Sequence, residues 1–367
     1  MSTIHIFKEE SIFSEKTQKY TEIIAPHMHY YYFENKIESQ NKNIQIVKNK
    51  NEIINLIDSE KISHLVFHGL QYYQLKFIES LRKKYTNKIQ ISWMFWSYEY
   101  YQLHFNIKFL YGNFSSRYKF RKKVSLIYEN LIHFIRGNVS SPFLMSKKDY
   151  FKKINLIDNF YSLVEDDYLT IFQTNSLVRY QYLSYVDTSD MHINTLDNES
   201  KEEKIMIGHN GSPILNHIEI LDVLNLELLN FEILLPLSYG KEIYIKSLKK
   251  YIAKNLNLKI TYLENKLPID KYYSLLSEVK FFFLNSYCQQ GLGNVLFFLL
   301  NGVSVYLSTK SSTYKFLKRK GLIVFSIEEF IANKEMILLD DSQKKTNKTI
   351  TNSFLNSETV LNQWSKL

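Results

Sequence analysis

Two spacings of hydrophobic and polar positions alternate along most of the chain. Short apolar runs of strand length follow segments with helical spacing, and this alternation indicates parallel sheets with helices on both faces. In the first half, the predicted strands span residues 3–7, 30–33, 44–47, 64–67 and 88–95. Helical patterns there cover residues 51–59, 71–84 and 98–135, and a capping box formed by Ser146 and Asp149 begins a further helix.

The second half repeats this pattern. Its predicted strands span residues 204–207, 231–235, 259–263, 280–284 and 303–307, and its predicted helices span residues 216–226, 241–256, 268–277 and 292–300. The polar segment 188–203 breaks the pattern, and residues 340–367 again have amphipathic helical spacing. We therefore predict one α/β domain at residues 1–195, a second at 204–335, and a helical tail at 336–367.

Composition fits two soluble domains. A chain of 367 residues with 45% hydrophobic residues can bury two cores of ordinary size. No window approaches the ~18–20 uninterrupted apolar residues of a membrane span, and the N-terminus meets charged residues too early for a signal peptide. We therefore predict a cytoplasmic protein. The single cysteine, Cys288, excludes an internal disulfide and a thiolate metal cluster.

The formal charge of +9 is spread along the chain, and most lysines fit solvated faces. One segment, residues 104–123, interleaves aromatic with basic residues. Such a mixture suits an interfacial surface that places aromatic rings among lipid headgroups and cations on phosphate, and we rank this interpretation above RNA binding because no RNA-recognition motif accompanies it. A pair of helices whose aromatic side chains pack inward is an equally good interpretation.

Glycine is rare, and it is concentrated at two strand-to-helix junctions. The chain has only 10 glycines, and four of them lie at these junctions. The junctions read Gly208-His209-Asn210-Gly211-Ser212 and Gln289-Gln290-Gly291-Leu292-Gly293-Asn294. At the carboxyl end of a parallel strand, small residues and free backbone N–H groups let an anionic ligand approach the main chain and a helix N-terminus. The two junctions predict a nucleotide-diphosphate site.

Several short motifs occur in order along the chain, most of them in its C-terminal half. The motifs are Ile4-His5-Ile6, Phe67-His68-Gly69, Trp93-Met94-Phe95-Trp96, Gly208-His209-Asn210-Gly211-Ser212, Asn216-His217-Ile218, Leu235-Pro236-Leu237-Ser238-Tyr239-Gly240, Asp270-Lys271-Tyr272-Tyr273-Ser274-Leu275-Leu276, Gln289-Gln290-Gly291-Leu292-Gly293 and Asn301-Gly302-Val303. In order and spacing they resemble one family of enzymes, the TDP-N-acetylfucosamine:lipid II N-acetylfucosaminyltransferases of enterobacterial common antigen synthesis. The resemblance extends into the first half and so covers most of the chain.

The resemblance implies an α/β protein of the GT-B fold, with two Rossmann-like domains facing across a cleft and a C-terminal helix that crosses back toward the N-terminal domain. It places the nucleotide-sugar donor on the C-terminal domain and the acceptor, an undecaprenyl-diphosphate-linked saccharide, on the N-terminal domain. The chain departs from the family where Trp-Gly-Ala-Asp is replaced by Trp96-Ser97-Tyr98-Glu99, and Lys8-Glu9-Glu10 stands where a glycine is usual. These departures bear on the acceptor more than on the fold.

Glycosyl transfer develops negative charge on the leaving diphosphate and often uses a base for the acceptor hydroxyl, so the chemistry selects candidate residues. We expect Glu99 and His68 to be catalytic, although Glu99 would also fit an ion pair and His68 a structural role. Gly69, Trp96 and Tyr98 are the acceptor-side candidates. The donor-side candidates are Gly208, His209, Asn210, Gly211, Ser212, Pro236, Tyr239, Gln289, Gln290, Gly291, Gly293 and Asn294.

We predict no metal site and no cofactor, because the sequence contains no Asp-x-Asp in a strand-to-loop context and its histidines are scattered. The predicted function is transfer of a deoxyamino-type sugar from a TDP- or UDP-sugar to a lipid-linked saccharide at the inner membrane surface, as a peripheral cytoplasmic enzyme of cell-surface polysaccharide synthesis that binds no nucleic acid. The alternatives are a sugar transferase with a soluble or protein acceptor, and a noncatalytic module that binds a nucleotide sugar or RNA.

Overall fold

The structure is a computed structural model. It describes residues 2–35, 45–86, 88–103, 105–116, 145–172, 176–191, 204–226 and 231–367. The chain divides into two compact units. The first unit comprises residues 1–106, 124–187 and 357–367, and the second unit comprises residues 107–123 and 188–356.

The first unit is built on a parallel sheet whose described strands run in the order β3-β2-β1-β4-β5-β6-β7. Its strands are β1 (Ser2–Phe7), β2 (His29–Phe33), β3 (Gln45–Val47), β4 (Ile62–His68), β5 (Gln90–Met94), β6 (Asn159–Ser162) and β7 (Arg179–Tyr182). Its helices are α1 (Ile12–Ile24), α2 (Lys50–Asp58), α3 (Leu75–Tyr85), α4 (Tyr98–Tyr101), α5 (Lys147–Ile154) and α6 (Glu165–Ile171), with a 3-10 turn at Tyr72–Gln74.

The second unit is built on a parallel sheet with the order β10-β9-β8-β11-β12-β13 among its described strands. The strands are β8 (Lys204–Ile207), β9 (Glu232–Pro236), β10 (Ile260–Leu263), β11 (Val279–Leu284), β12 (Ser304–Leu307) and β13 (Phe325–Ser326). The helices are α7 (His217–Leu226), α8 (Glu242–Asn255), α9 (Ile269–Leu276), α10 (Leu292–Leu300), α11 (Ser312–Arg319), α12 (Ile327–Asn333) and α13 (Asp341–Leu355), with 3-10 turns at Ile107–Phe109, Thr188–Asp190 and Pro213–Leu215.

The aromatic strand β11 lies in the middle of the second sheet, as its composition predicts. Phe282 and Phe283 are fully buried, and each contacts an aromatic ring: Phe298 at 4.6 Å for the former and Tyr306 at 4.5 Å for the latter. A central parallel strand is covered by helices on both faces, so both sets of alternating side chains are apolar. The predicted strand at 204–207 and helix at 292–300 are confirmed at the predicted bounds.

Residues 107–116 belong to the second unit, although we predicted residues 1–195 as one N-terminal domain. The amide of Gly112 donates to Oδ1 of Asn216 at 2.8 Å, and the amide of Phe114 donates to Oε1 of Glu219 at 3.1 Å. Because these main-chain groups are satisfied by side chains near the start of α7, the segment is fixed on the second unit. The predicted linker falls largely at 192–203, outside the described residues.

The tail consists of two helices rather than one. Helix α13 packs against α10 within the second unit, whereas α14 (Ser357–Trp364) packs against α1 within the first. The indole of Trp364 stacks on Tyr20 at 5.3 Å, and its Nε1 donates to the carbonyl of Ser184 at 2.7 Å. Of the predicted tail, therefore, only the last helix belongs to the first unit.

The aromatic and basic segment at 104–123 is only partly described. Phe105 packs against the core of the first unit, whereas Tyr111 and Phe114 pack against the core of the second. These three side chains therefore do not form the lipid-facing surface that we considered, and among the described aromatic residues of the segment only Phe109 is strongly exposed, at 63%. His104 and residues 117–123 lie outside the described residues. Along the described part of the chain, no helix combines the length and apolar content needed to cross a bilayer.

Candidate functional site

The donor-side candidates gather where the connections of the second sheet change direction. Strands β8 and β11 are neighbours at its centre, and from them the strand order proceeds outward in opposite directions, through β9 and through β12. In an open parallel sheet, the loops after two such strands separate and leave a crevice at the carboxyl ends of the strands. The two predicted glycine junctions follow β8 and β11, so the structure brings them together at this position.

The junction after β8 is held by a close contact between two backbones. The amide of Gly211 donates to the carbonyl of Tyr239 at 2.7 Å, and the amide of Lys241 donates back to the carbonyl of Gly211 at 3.0 Å. A methyl group on Gly240, whose φ is +136°, would lie 2.4 Å from the carbonyl carbon of Gly211. Glycine is therefore required here because the chains after β8 and β9 touch.

Helix α10 begins at the second junction with exposed main-chain donors. Its N-cap is Gly291 in the left-handed conformation (φ +54°), and no side chain of the described residues caps it. The first N–H groups of a helix lack partners within the helix and carry its positive dipole end, so they favour an anion. A methyl group on Gly293 would meet nothing within 4 Å among the described residues. Space for a ligand is therefore open beside this helix start.

The imidazole of His209 places a hydrogen-bond donor beside this helix start. The amide of Ser212 donates to Oδ1 of Asn210 at 2.8 Å, which fixes the side-chain amide of Asn210 so that its Nδ2 donates to Nε2 of His209 at 2.9 Å. Burial lowers the pKa of His209 to about 4, so the ring is neutral near pH 7 and its proton lies on Nδ1. This buried Nδ1 has no hydrogen-bond partner among the described residues, and a methyl group on Gly291 would lie 2.7 Å from it.

The remaining donor-side candidates surround this point at different depths. Tyr239 is 60% exposed, and its ring centroid lies 6.4 Å from that of His209. Nδ2 of Asn294, on the first turn of α10, donates to the hydroxyl of Tyr272 at 3.2 Å. Pro236 is buried as the last residue of β9, so it forms part of the floor rather than a free contact. Gln289 and Gln290 are half-buried in the loop before Gly291.

On the first unit, the acceptor-side candidates cluster at the ends of β4 and β5. Gly69 follows β4 with φ +67°, and a methyl group there would lie 2.7 Å from Cε3 of Trp96. The side-chain amide of Gln71 donates to the carbonyl of Gly69 at 2.6 Å and to the hydroxyl of Tyr98 at 2.7 Å. Gly69, Trp96 and Tyr98 therefore lie together, and Gln71, which the sequence reasoning missed, connects two of them.

Ser97 has an unusual backbone in this group. Its φ of +83° and ψ of −55° belong to the rare γ-turn with positive φ, which is strained for a residue with a side chain. Glycine adopts such a backbone without strain, and serine stands here instead.

Glu99 is held inside the first unit instead of pointing into solvent. It is 6% exposed, and Oε1 accepts hydrogen bonds from Nε1 of Trp93 at 3.1 Å and from the amide of Trp96 at 2.7 Å. The other oxygen, Oε2, has no hydrogen-bond partner within the described part of the chain. Burial raises the pKa of Glu99 to about 8, so its acid is mostly protonated at neutral pH. The contacts position Trp96, and the predicted role as a base stays a prediction.

His68 is also buried, with 2% exposure, at the end of β4. Its Nδ1 lies 2.6 Å from the hydroxyl of Tyr185, and its Nε2 lies 2.9 Å from Nδ1 of His5. The hydroxyl of Tyr185 also accepts a hydrogen bond from Nε1 of Trp96 at 2.8 Å, and Phe13 covers Trp96 at a ring distance of 4.8 Å. Both ring nitrogens of His68 are therefore engaged within the first unit, and its predicted catalytic role stays a prediction.

Besides Gln71, further residues near the candidate sites were not predicted as site residues from the sequence. His5 is a polar residue inside the apolar strand 3–7 and stands in the motif Ile4-His5-Ile6, and these two features are the signals that could have identified it. Tyr185 and Phe13 had no local signal, since they reach Trp96 from distant parts of the chain. On the second unit, Glu219 was missed on α7. Burial raises the pKa of Glu219, and its Oε2 lacks a partner in the described structure.

Comparison with solved structures identifies the fold. A glycosyltransferase from Rickettsia africae matches with a TM-score of 0.66 at 11% identity, over 99% of this chain and 96% of that one. HepE of Anabaena in complex with UDP and glucose matches with a TM-score of 0.63 at 10% identity, over 100% and 99% of the two chains. Sucrose-phosphate synthase from Thermosynechococcus elongatus matches with a TM-score of 0.65 at 9% identity, over 100% and 98%. With the two parallel sheets, these likenesses confirm the predicted GT-B fold.

Comparison of sequences gives the family. No curated protein matches the chain significantly. The model of the family described as 4-alpha-L-fucosyltransferase glycosyl transferase group 56 matches residues 157–367, which is more than half of the chain and includes both glycine junctions. This protein is therefore a glycosyltransferase that belongs to the group 56, 4-alpha-L-fucosyltransferase family.

Proposed function

We propose that the protein transfers a deoxyamino-type sugar from a TDP- or UDP-activated donor to a lipid-linked saccharide. The donor diphosphate binds the second unit at the start of α10, between the loops after β8 and β11. The acceptor binds the first unit beside Trp96. Metal is not needed in this proposal, because main-chain N–H groups and His209 supply the donors to the diphosphate.

The observation that carries the proposal is the spare donor of His209 beside a helix start that only glycine caps. The partnerless Nδ1–H and the first amides of α10 are unsatisfied without a ligand, and both favour an anion. Each charge-assisted hydrogen bond to a phosphate contributes roughly 1.5–3 kcal/mol. The complexes of HepE with UDP-glucose and with UDP and glucose support a nucleotide sugar as the ligand class.

Binding of nucleotides tests the donor side directly. We expect UDP or TDP to raise the melting temperature of the full chain and to bind at least ten-fold more tightly than the matching monophosphate, because the second phosphate reaches the start of α10. Calorimetric titration measures both affinities. Equal affinity for monophosphate and diphosphate would contradict this placement of the diphosphate.

Gly293 offers a sharper test, since its side-chain position is open. Gly293→Ala and Gly293→Leu keep every main-chain amide and introduce better helix formers, so neither should lower the melting temperature. We expect nucleotide-diphosphate affinity to fall about ten-fold for alanine and further for leucine, because each side chain enters the space beside the diphosphate. Wild-type affinity in Gly293→Leu would show that the ligand lies elsewhere.

The acceptor side of the proposal rests on the family resemblance. We propose an undecaprenyl-diphosphate-linked saccharide, met by a peripheral cytoplasmic enzyme at the inner face of the membrane during synthesis of a cell-surface polysaccharide. A panel of TDP- and UDP-sugars, offered with a polyprenyl-diphosphate saccharide or with the free saccharide, separates this acceptor from a soluble one. Equal turnover with the free saccharide would favour the soluble acceptor.

The predicted base is tested by Glu99→Gln. Glutamine keeps an acceptor oxygen for Trp93 and for the amide of Trp96, so the turn should keep its shape. A general base contributes about 10²–10⁴-fold to a rate, so loss of at least 100-fold in kcat is expected if Glu99 removes the acceptor proton. Activity within a few-fold of the wild type would leave Glu99 as a positioning residue for Trp96.

A further inference from the structure

The first unit contains a continuous series of hydrogen bonds through three histidines. Nε1 of Trp96 donates to the hydroxyl of Tyr185 at 2.8 Å, and this hydroxyl lies 2.6 Å from Nδ1 of His68. Nε2 of His68 lies 2.9 Å from Nδ1 of His5, and Nε2 of His5 lies 2.9 Å from Nδ1 of His29. The imidazoles bond one to the next in series, from the end of β4 through β1 to the start of β2.

The direction of every proton in this series follows from Trp96. An indole nitrogen only donates, so the oxygen of Tyr185 accepts from it and keeps its own proton for Nδ1 of His68. Neutral His68 then carries its proton on Nε2 and donates to His5, which in turn donates from Nε2 to His29. The opposite direction would bring two donors to Tyr185 and leave its own proton without an acceptor in the described structure.

The imidazoles are neutral at physiological pH because they are buried together. Burial, followed by the neighbouring His68, His29 and His64, lowers the pKa of His5 well below its usual value. Burial alone does the same for His68 and lowers the pKa of His29 to about 4. A proton transfer along the series would therefore have to be concerted, because no single ring can hold a positive charge at low cost.

The far end of the series opens to the surface. His29 lines a pocket with Thr21, Glu22, Ala25, His27, Tyr31 and Gln45. Glu22 and His27 are exposed, and Tyr31 stacks against His5 at a ring distance of 5.5 Å. Water therefore reaches His29 from this pocket, which lies at a different end of β1 from Trp96.

We propose that Tyr185, His68, His5 and His29 form a proton relay that carries the acceptor's proton from the site at Trp96 to the surface pocket at His29. The relay rests on the proposed function, because a sugar acceptor loses a hydroxyl proton during transfer. It gives buried His68 a role in catalysis without contact with the substrate. In this relay Tyr185 is the catalytic residue, and the three histidines act through it.

The atoms of the step balance as follows. As the acceptor oxygen bonds to the anomeric carbon, its proton passes to the oxygen of Tyr185, and the bond from the anomeric carbon to the diphosphate breaks with its electron pair. The hydroxyl proton of Tyr185 moves to Nδ1 of His68, the Nε2 proton of His68 moves to His5, and that of His5 moves to His29. The Nε2 proton of His29 leaves to water.

The relay then returns to its resting direction once the product has left. His29 takes a proton from water at Nε2, each proton shifts back by one position, and Tyr185 releases one proton to water in the emptied site. Over the whole cycle one proton is released for each sugar transferred. The released proton is the one that the acceptor hydroxyl loses.

Chemical rescue at His29 tests the relay. His29→Ala leaves a hole that opens to the surface pocket, so we expect kcat to fall at least ten-fold with KM unchanged, and added imidazole to restore most of it. His29→Phe fills the same hole with a ring that carries no proton, so imidazole should not restore its activity. His27→Asn is the matched control, because it removes an exposed histidine of the same pocket while asparagine tolerates the positive φ of +66°.

The outcomes of these experiments distinguish failure of the relay from failure of the proposed function. A kcat within two-fold of the wild type in His29→Phe, or a loss in His29→Ala that imidazole does not restore, overturns the relay and leaves the proposed function intact. A wild-type protein that transfers no sugar to any acceptor overturns the proposed function and the relay together. Nitrogen-15 NMR of labelled histidines gives a test without turnover: a proton on Nδ1 of His5 in the resting protein would reverse the series and overturn the relay.

Discussion

The buried carboxyl group of Glu99 should make the stability of the protein fall as pH rises. In the folded protein this group keeps its proton up to a pKa of about 8, whereas the unfolded chain loses it near 4.5. The folded state therefore binds more protons than the unfolded state between these values, and the free energy of unfolding decreases across this range. Glu99→Gln removes this dependence, because a side-chain amide does not titrate.

The size of the effect follows from the shift. One pKa unit corresponds to about 1.4 kcal/mol, so the full shift of Glu99 destabilises the folded protein by about 5 kcal/mol well above pH 8. At pH 6 the same calculation gives about 2 kcal/mol. From pH 6 to pH 8.5, the unfolding free energy of Glu99→Gln should therefore rise relative to that of the wild type by about 2.5 kcal/mol.

Urea unfolding of the two full-length proteins at pH 6, 7 and 8.5 measures this difference. Taking the difference at each pH removes the contributions of all other titrating groups, including the buried histidines. Glu60→Gln removes one exposed carboxylate of the same unit and reports the effect of net charge alone. A difference that stays constant from pH 6 to pH 8.5 would mean that Glu99 is ionised in the folded protein and that burial does not control it.

Three further predictions concern backbone strain and acid stability. Ser97→Gly should raise the free energy of unfolding by about 1 kcal/mol, because glycine adopts the positive φ of this position without strain; Ser97→Ala should give no gain, and urea unfolding compares them. Gly240→Ala should lower the free energy of unfolding by more than about 2 kcal/mol, since its methyl group would clash with the backbone of Gly211, and an unchanged melting temperature would contradict this contact. His64 is buried with its pKa lowered to about 4 against 6.5 unfolded, so the unfolded chain binds its proton first and stability falls by about 2.5 kcal/mol between pH 7 and pH 4.5. His64→Gln should be less sensitive to acid over this range, and equal loss in both proteins would count against the argument.

The fold was largely predictable because its strands and helices follow local patterns. Strand 204–207 and helix 292–300 are apolar almost throughout, so burial on both faces could be recognised from composition alone. Helix α1 was missed because its apolar positions are interleaved with lysine and glutamate, and its Ser11 capping box was not recognised. The placement of residues 107–116 could not be predicted, since it depends on contacts of Gly112 and Phe114 with distant side chains.

Part of the candidate site could likewise be predicted from the sequence, and part of it could not. The glycine junctions could be found because glycine is rare in this chain, and Gly208, Gly211 and Gly291 occupy crowded positions where a methyl group would clash. The relay histidines could not be assigned, because the sequence does not show that His5, His29 and His68 meet. The burial of Glu99 was equally hidden, since its partners Trp93 and Trp96 looked like core residues and not like donors to a carboxylate.

The family match and the departures from the resembled motif fall on different parts of the chain. The match covers residues 157–367, which contain every donor-side candidate, whereas Glu99, His68 and Trp96 lie outside it. The strained Ser97 lies in this unmatched part as well, at the position where the resembled family has glycine. Every member of the family must bind the diphosphate of its sugar donor. The acceptor, in contrast, can differ between members when the residues around Trp96 differ. We therefore expect the chemical class of the donor to be shared with the family and the acceptor to be where this protein differs.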